Sequence, residues 1–300
     1  RKSKCCSLWH AALLTACSLA CCGHATVVDI DTSQLVFRAS DGGEAGIMYD
    51  IGFLFTTSVF TNATFLQRLA DLSRGGGQAM RLGGGQQICV VYNVTGELQE
   101  LPTHWHAVSK YCHGRLHVLN ATLWDAVLDA MELANMSLVL GVNAGVGRPW
   151  TTPGPWDPAP SGFPSLVDYT MKRRGRVMAY ELGNEPYKMK FGYNVPMDVL
   201  ASDCATMKKL LRSSAAKHGI ADPPMAACPD FECDIEPDAY SSHAQEKFFG
   251  KVDSFVNLAT QGADAVDALT LHWYGVKSRN PNVSGLALVP ERLYKFGARF

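Results

Sequence analysis

Hydrophobic and polar residues alternate with two different periods along residues 46–274. Short, almost wholly apolar runs predict buried strands, and apolar residues spaced three and four apart predict amphipathic helices. The strand-like runs are AGIMYDIGF, QAMRLGGG, SLVLGVN, VMAYELGN, PMAAC and ALTLHWY. The helix-like runs are ATFLQRLADLS, NATLWDAVLDAMELA, PSLVDYTMKRRG, residues 196–218 and AQEKFFGKVDSFVNLA. Strand and helix thus follow each other in turn over this region.

Local signals mark where several of these helices begin and end. Thr122 and Asp125 have the spacing of a capping box, which predicts the start of the second helix. Gly175 is expected to close the third helix and Gly219 the fourth, because glycine often follows the last helical residue.

Alternation of strand and helix predicts parallel strands that helical crossovers connect. Strands that are apolar throughout must be covered on both faces, as in parallel sheets. Two architectures meet this description, an open doubly wound sheet and a (β/α)8 barrel. The glycine runs RGGGQ and LGGGQ lack the spacing of a dinucleotide-binding loop, and we interpret them as turns.

Polar residues collect where the predicted strands end, which favours the barrel because barrel enzymes build their sites there. These residues are Asp50, Arg81, Asn143, Asn184, Glu185, Asp230, His272 and Tyr274. We therefore predict an α/β protein with a partial (β/α)8 barrel over residues 46–300, truncated after about six strands.

The first 25 residues have the pattern of a signal peptide. Basic Arg1, Lys2 and Lys4 precede a mostly apolar stretch, and Gly23-His24-Ala25 supplies a small-x-small cleavage pattern. The stretch is shorter than the roughly 20 apolar residues that span a bilayer, so a membrane anchor is the less favoured alternative. The chain starts without methionine and stops at YKFGARF, and we expect it to be a fragment.

Composition narrows the class of protein. The 300 residues are 47% hydrophobic, which is enough to bury the core of one large domain. The net charge of −1 lacks the basic excess of a nucleic-acid-binding protein, so no nucleic-acid partner is expected.

Sequons and cysteines agree with passage through the secretory pathway. The predicted N-glycosylation sites are Asn62, Asn93, Asn120, Asn135 and Asn282. In an oxidising compartment the expected disulfides are Cys89–Cys112 and Cys228–Cys233. Cys204 is then expected to be a buried thiol, or to have its partner outside this chain.

Several motifs carry a family resemblance. The run YELGNEP resembles the fourth-strand motif of retaining glycosidases of clan A. MYDIGF, MRLGGG, LVLGVNA, PMAACPD and LTLHWYG are similar, in this order, to the first, second, third, fifth and sixth strands of heparanase-like enzymes of glycoside hydrolase family 79. The resemblance implies a catalytic barrel with an accessory β-sandwich, to which residues 26–45 would contribute strands.

The resemblance implies roles for two adjacent residues. Retaining glycosidases use two carboxyl groups about 5–5.5 Å apart, one as nucleophile and one as acid/base. Glu185 would be the acid/base, and Asn184 would hydrogen-bond the sugar hydroxyl next to the reacting carbon. The family's nucleophile is a glutamate that ends the seventh strand, whereas this chain stops after the sixth. Glu291 follows Pro290 as at a helix start and is not assigned, so we expect the fragment alone to be inactive.

Other strand-end residues receive roles by the same resemblance. His272 and Tyr274 would face the sugar and the nucleophile, and Asp50 would contact substrate. Arg81 would lie beside the nucleophile, or alternatively form an interior ion pair with Glu181.

Two further positions, Asn143 and Gly85, bear on substrate binding. Asn143, which ends the third strand, is a further substrate-binding candidate. Gly85 stands where related enzymes have threonine, which weakens the expected recognition of a uronic acid carboxylate.

The loop after the third strand, residues 145–164, would lie over the strand ends. Trp150 and Trp156 could serve there as platforms for a sugar ring, or could simply pack within the loop. Arg148 could pair with an anionic substrate. The basic run MKRRGR precedes the fourth strand, so we interpret it as a solvated helix end rather than a heparin site.

One short segment has side chains of the types that bind zinc. It contains His104, His106, Cys112, His113 and His117. The segment lacks a C-x-x-C pair, so we expect an irregular loop and neither a metal nor another cofactor.

The sequence therefore predicts a secreted, extracellular or lysosomal retaining glycoside hydrolase. By resemblance it would be an endo-β-glucuronidase whose partner is a glycosaminoglycan-like polysaccharide such as heparan sulfate. An exo-β-glucuronidase and a non-catalytic glycan-binding paralogue stay open as alternatives, as does association with a membrane or the extracellular matrix.

Overall fold

The computed structural model describes residues 46–73, 78–98, 112, 116–149, 154–187, 194–233, 242–260 and 265–273. All of them belong to the compact unit Ala39–Phe300. The predicted signal peptide (1–25) and sandwich strands (26–45) lie outside the described residues, as do Trp150, Tyr274 and Asn282.

Most of the strands form one parallel sheet. The described strands are β1 (Gly46–Asp50), β2 (Ala79–Gly83), β3 (Val90–Asn93), β4 (His117–Asn120), β5 (Ser137–Val142), β6 (Val177–Leu182), β7 (Met225–Cys233) and β8 (Ala268–Trp273). Six of them form the sheet in the order β1-β2-β5-β6-β7-β8, and every neighbouring pair is parallel. β3 pairs with β4 in a separate two-stranded sheet.

Helices connect the strands of the large sheet. The described α-helices are α1 (Ala63–Leu72), α2 (Ala121–Leu133), α3 (Phe163–Arg173), α4 (Met197–Lys217) and α5 (Ser242–Thr260). α1 follows β1, α2 precedes β5, and α3, α4 and α5 follow β5, β6 and β7 in turn. Short 3₁₀ turns occupy Ile51–Phe55, Val59–Thr61, Gly85–Cys89 and Ala159–Ser161.

The strand order distinguishes the two predicted architectures. Apart from the β3–β4 excursion, each new strand is added to the same edge of the sheet. A doubly wound sheet reverses this order partway along, whereas a barrel does not. The predicted α/β fold, with the first six strands of a barrel, is confirmed. In the part of the chain that the structure describes, β1 and β8 are the two edges and the barrel is not closed.

Successive residues of each strand point to opposite faces of the sheet. The helices cover one of these faces, and the other is the inner face. Met80 and Leu82 are fully buried, and between them Arg81 reaches across the opposite face to β6 and β7. On β6, the ring of Tyr180 packs edge-on against Phe163 of α3, with ring centroids 5.4 Å apart. The apolar core therefore lies between sheet and helices, and charged side chains lie on the inner face.

Two helix ends differ from the sequence prediction. Asn120 caps α2 by accepting a hydrogen bond from the Leu123 amide at 2.9 Å, so the predicted capping box at Thr122 is wrong. α3 ends at Arg173, and its C-cap Arg174 adopts the left-handed conformation with φ 56°, one residue before the expected Gly175. Sequence signals located both helices but misplaced their ends by one or two residues, as is common.

Two disulfides join distant elements. Cys89 bonds to Cys112 with their Cα atoms 5.6 Å apart, which confirms that prediction. Cys228 bonds to Cys204 of α4, with Cα atoms 6.4 Å apart. The predicted Cys228–Cys233 bridge and the predicted free thiol at Cys204 are therefore wrong. The reason is that α4 packs against β7, which brings Cys204 next to Cys228 although 24 positions separate them in the chain.

Within the ranges given above, no helix combines the length and the apolar character that crossing a bilayer requires.

Candidate active site

The chain turns sharply after β6 and buries two polar residues at the strand's carboxyl end. Gly183 has φ 76° and donates its amide hydrogen to the Val142 carbonyl at 2.9 Å. Glu185 also adopts a left-handed conformation, with φ 49°, which is unusual for a residue other than glycine. Asn184 and Glu185 are 3% and 1% exposed. A strained turn that buries a carboxyl group is typical of functional sites.

Asn184 has an unused hydrogen-bond acceptor. Its side-chain oxygen is buried and has no hydrogen-bond partner in the described part of the chain. Buried polar atoms are nearly always paired in folded proteins, so such an atom needs an explanation. A ligand hydroxyl would satisfy it, and the sugar contact that the family resemblance implies for Asn184 stays a prediction.

Beside this turn, Arg81 lies between two buried carboxylates. Its Nε and Nη2 atoms are 2.6 and 2.5 Å from Oε2 of Glu181. Its Nη2 atom is also 3.3 Å from Oδ2 of Asp230. The alternative prediction, an ion pair of Arg81 with Glu181, is thus confirmed, and Asp230 is a second partner that the sequence had placed only at a strand end. Proximity of Arg81 to the nucleophile stays a prediction.

Asp230 is held in place by its backbone. It has φ 54°, is fully buried, and its amide donates to Oγ1 of Thr270 on β8 at 3.0 Å. β2, β6 and β7 therefore supply one charged residue each to this network, and β8 anchors Asp230.

Glycines form the floor under these side chains. A Cβ atom on Gly83 would lie 3.2 Å from Cζ of Arg81, and one on Gly141 would lie 2.0 Å from Oε1 of Gln87. Gln87 is fully buried and donates to the Val142 carbonyl at 3.1 Å. Gln87 was not predicted from the sequence. The only signal for it was that Gly83 and Gly141 lie on neighbouring strands and leave room for another side chain.

Asp50 lies at the end of β1 and orders the loop after it. Its Oδ1 atom accepts from the Gly52 amide at 2.8 Å. Its Oδ2 atom lies so close to Gly84 that a Cβ there would be 2.6 Å away. Burial raises the pKa of Asp50, although the Gly52 amide and the charge of Arg81 oppose this shift. A contact between Asp50 and substrate stays a prediction.

The side-chain nitrogen and oxygen of Asn143 both have their hydrogen-bond partners within the protein. Its Nδ2 donates to the carbonyls of Ile88 and Val90 at 2.7 and 2.8 Å. Its Oδ1 accepts from the amides of Gly145 and Val146 at 2.8 and 3.1 Å. Asn143 thus ties the loop after β5 to the segment after β2. Its predicted contact with substrate would require some of these bonds to break.

The structure contradicts two predictions for the loop after β5. Trp156 is 3% exposed, and its Nε1 donates to the Val146 carbonyl at 3.1 Å, so no ring face is available as a sugar platform. Arg148 pairs with the buried Asp203 of α4 at 2.6 Å and is not available to an anionic substrate. Burial raises the pKa of Asp203, while Arg148 opposes that shift. Both side chains instead fasten the loop to the protein.

Some predicted site residues remain untested. His272 lies on β8, where its backbone is in register with Glu232 of β7, but its side chain is outside the described part. Trp150 and Tyr274 also lie outside it. Cys112 is in a disulfide, which removes it from the considered zinc-binding set, and His117 stacks on Phe55 with ring centroids 4.6 Å apart.

Buried carboxyl groups at the carboxyl ends of parallel strands define a class of α/β enzymes whose sites lie at that end of the sheet. Glycoside hydrolases are members of this class that act through carboxyl groups. The profile of Glycosyl hydrolase family 79, N-terminal domain, matches residues 60–280 of this chain. The chain belongs to glycoside hydrolase family 79.

Similar solved structures are also carbohydrate-active enzymes. One is a 4-O-alpha-L-rhamnosyl-beta-D-glucuronidase from Fusarium oxysporum 12S, with 15% identity, 83% of this chain and 49% of that chain covered, and a TM-score of 0.45. The GH39 enzyme from Xanthomonas axonopodis pv. citri has 14% identity, 82% and 47% coverage, and a TM-score of 0.44. GH30 xylanase C from Talaromyces cellulolyticus has 14% identity, 76% and 52% coverage, and a TM-score of 0.40.

This chain therefore spans about half the length of the solved structures that it matches. No curated protein matches it at a significant level.

Proposed function

We propose that the full-length protein is a retaining glycoside hydrolase, and more specifically an endo-β-glucuronidase that cleaves heparan sulfate-type polysaccharide by double displacement. The observation that carries this proposal is the buried Asn184-Glu185 pair at the carboxyl end of β6, inside a family 79 domain. The β-glucuronide specificity rests on the ordered resemblance of five strand motifs to heparanase-like enzymes.

In this mechanism Glu185 acts twice. As a carboxylic acid it donates a proton to the glycosidic oxygen while a second carboxylate attacks the anomeric carbon and the bond to the leaving sugar breaks. As a carboxylate it then takes a proton from the water that releases the glycosyl group. The nucleophile is expected on a strand that follows β8. The unpaired side-chain oxygen of Asn184 would accept a hydrogen bond from the neighbouring sugar hydroxyl.

The ion-pair network around Arg81 would hold the charged groups of the site in fixed orientations. One guanidinium between Glu181 and Asp230 fixes both carboxylates, so neither can swing toward the reacting centre. Charged groups that are already oriented stabilise a developing oxocarbenium charge without reorganising during the reaction.

The direct test is an assay of the full-length protein on heparan sulfate and on an aryl β-glucuronide. Shorter oligosaccharides released from heparan sulfate support endo action, and release of aglycone alone supports the exo-β-glucuronidase. NMR of the first product should show the β-anomer, because retention gives back the configuration of the substrate. A first product with the α-anomer contradicts the double-displacement mechanism, and binding without turnover supports the glycan-binding paralogue.

We further propose that the protein is secreted or delivered to lysosomes. The two disulfides support this, because disulfides persist in oxidising compartments. Expression of the full-length protein in animal cells, followed by detection in medium and lysosomes, tests it; retention in the cytosol in reduced form contradicts it.

A further inference from the structure

Four predicted glycosylation sites lie on described residues, and two of them share a special position. Asn62 caps α1 and Asn120 caps α2, each accepting a hydrogen bond from the amide three residues later. Both asparagines are exposed. A cap uses only the side-chain oxygen, so the Nδ2 atom that would carry a glycan is not needed for the cap.

The other two sequons differ. Asn135 is exposed, and its oxygen accepts from Nη1 of Arg176 at 2.6 Å. Asn93 is half-buried, and its oxygen accepts from the Leu98 amide at 3.2 Å. Of the four, only Asn62 and Asn120 begin the two helices that flank a groove.

That groove runs between α1 and α2 and has a volume of about 670 Å³, within the range of ordinary ligand sites. Its apolar lining includes Phe60, Leu66, Ala126 and Leu133, and Leu133 is 62% exposed. Thr122, which completes the sequon of Asn120, also lines it. From Thr122 to Leu133 the groove follows α2 for about 16 Å, at about 1.5 Å per residue. A chain of several sugars can span that length.

The chemistry of the groove suits carbohydrate better than a basic protein partner. Sugar rings present C–H faces to apolar side chains and hydroxyl groups to polar ones. The acidic rim includes Asp125, Asp129 and Glu132. Asp125 and Asp129 already pair with Arg173, and Asp125 also accepts from the Tyr169 hydroxyl at 2.9 Å. The aspartates therefore offer hydrogen-bond acceptors more than free charge.

We propose that an N-linked glycan on Asn120 lies along this groove and covers Leu133. The proposal rests on passage of the chain through the secretory pathway and is independent of catalysis. Attachment at the groove's own end makes binding intramolecular, so even weak contacts with the sugars suffice to hold the glycan there.

Matched variants of the secreted full-length protein test this proposal. Thr122→Ala removes the sequon and keeps the cap, whereas Thr122→Ser changes the same position and keeps both. Hydroxyl-radical footprinting by mass spectrometry then measures the exposure of side chains. We expect oxidation of Leu133 to increase at least twofold in Thr122→Ala relative to Thr122→Ser. Leu72, which is 61% exposed and does not line the groove, is the internal control and should not change.

A second variant covers the case in which Thr122→Ala itself disturbs the groove. Asn120→Asp keeps a capping oxygen and removes the glycan, so it should raise oxidation of Leu133 equally. Peptide mapping reports whether each site is glycosylated. A glycan on Asn135 but none on Asn120 would overturn the proposal, as would a glycan on Asn120 whose loss leaves Leu133 oxidation unchanged.

Discussion

The surroundings of Arg81 differ from those of an ordinary surface arginine. Its side chain is 17% exposed and lies against carboxylates that are 3% and 0% exposed. A buried ion pair gains little relative to apolar packing, but breaking one by removing a single partner is costly because a buried charge is left behind. The network is therefore a sensitive point for stability.

We predict that Glu181→Gln lowers the free energy of unfolding by about 3 kcal/mol, because it removes the negative charge nearest to Arg81 and leaves the buried charges of the network unbalanced. Asp168→Asn is the matched control, since Asp168 pairs with Lys217 at an exposed site and should cost at most about 1 kcal/mol. Urea unfolding of both variants makes the measurement. Equal losses would show that the Arg81 network is no more important than a surface pair.

Single residues also show which positions and contacts could be predicted from the sequence. Asp50, Asn184 and Glu185 were correctly placed at strand ends because strand limits are local patterns. Arg81 and Asp230 were not, because Arg81 is the middle residue of β2 and β7 continues beyond Asp230 to Cys233. The partners of Arg81 were harder, since Asp230 is 149 positions away. Trp156 and Arg148 were misjudged because a Pro- and Trp-rich loop gives no sign of the buried Asp203 that holds it from α4.

At the scale of elements, caps and strand-end contacts fix the helices against the sheet. Asn62 and Asn120 begin α1 and α2, and Asp267 joins α4 to β7 just before β8 begins. The helices and strands themselves were predictable, because each has a clear apolar period. The cap of α2 was not, because two overlapping signals, Asn120 and Thr122, compete within three residues.

We predict that Asn120→Ala lowers the stability of the unglycosylated protein by about 1 kcal/mol, through loss of the bond to the Leu123 amide. Thr122→Ala at the neighbouring position should change stability by less than about half that amount, because Thr122 is not the cap. Thermal unfolding compares the two. A larger effect of Thr122→Ala would restore the capping box.

A pH dependence is expected at Asp267. Burial opposes its ionisation, but the hydrogen bonds from Lys208 and the Ala226 amide, together with the charges of Lys208 and Arg212, outweigh burial, and the pKa of Asp267 is lowered. A lowered folded-state pKa contributes stability above the unfolded value of about 3.9, and that stability is lost as the pH falls through the folded pKa. Asp267→Asn should therefore destabilise the protein between pH 5 and 8.

The difference between Asp267→Asn and the parent protein should shrink below about pH 4, as Asp267 becomes protonated first in the unfolded parent chain and then, at lower pH, in the folded one. Asp222→Asn, at an exposed position in the same region, is the control. Unfolding free energies measured from pH 3 to 8 decide the matter; a difference that stays constant down to pH 3 would rule out the ionised contacts as its cause.

At the scale of the whole molecule, the sheet and a disulfide set the position of the site. The singly wound order β1-β2-β5-β6-β7-β8 brings the carboxyl ends of these six parallel strands to one edge of the sheet. The Cys204–Cys228 bridge ties α4 to β7 two residues before Asp230. The strand order was predictable from the alternation of elements, whereas the bridge depends on how α4 packs, which no spacing of cysteines reveals.

We predict that peptide mapping without reduction recovers Cys204 linked to Cys228. Cys204→Ser should lower the free energy of unfolding by about 3 kcal/mol, because a bridge that closes a loop of 24 residues restricts the unfolded chain by about that amount. Cys233→Ser is the control and should leave the Cys204–Cys228 peptide intact. Recovery of a Cys228–Cys233 peptide would reverse this assignment.

The central claim is that Glu185 donates the proton to the leaving sugar, and the most direct test is the leaving-group dependence of Glu185→Gln in the full-length protein. General acid catalysis contributes roughly 10²–10⁴ to the rate. Cleavage of heparan sulfate, whose leaving group needs a proton, should therefore fall at least about 100-fold. A dinitrophenyl β-glucuronide, whose leaving group needs none, should still form the glycosyl-enzyme at nearly the parent rate. Equal losses on both substrates, or no loss on either, would contradict the account.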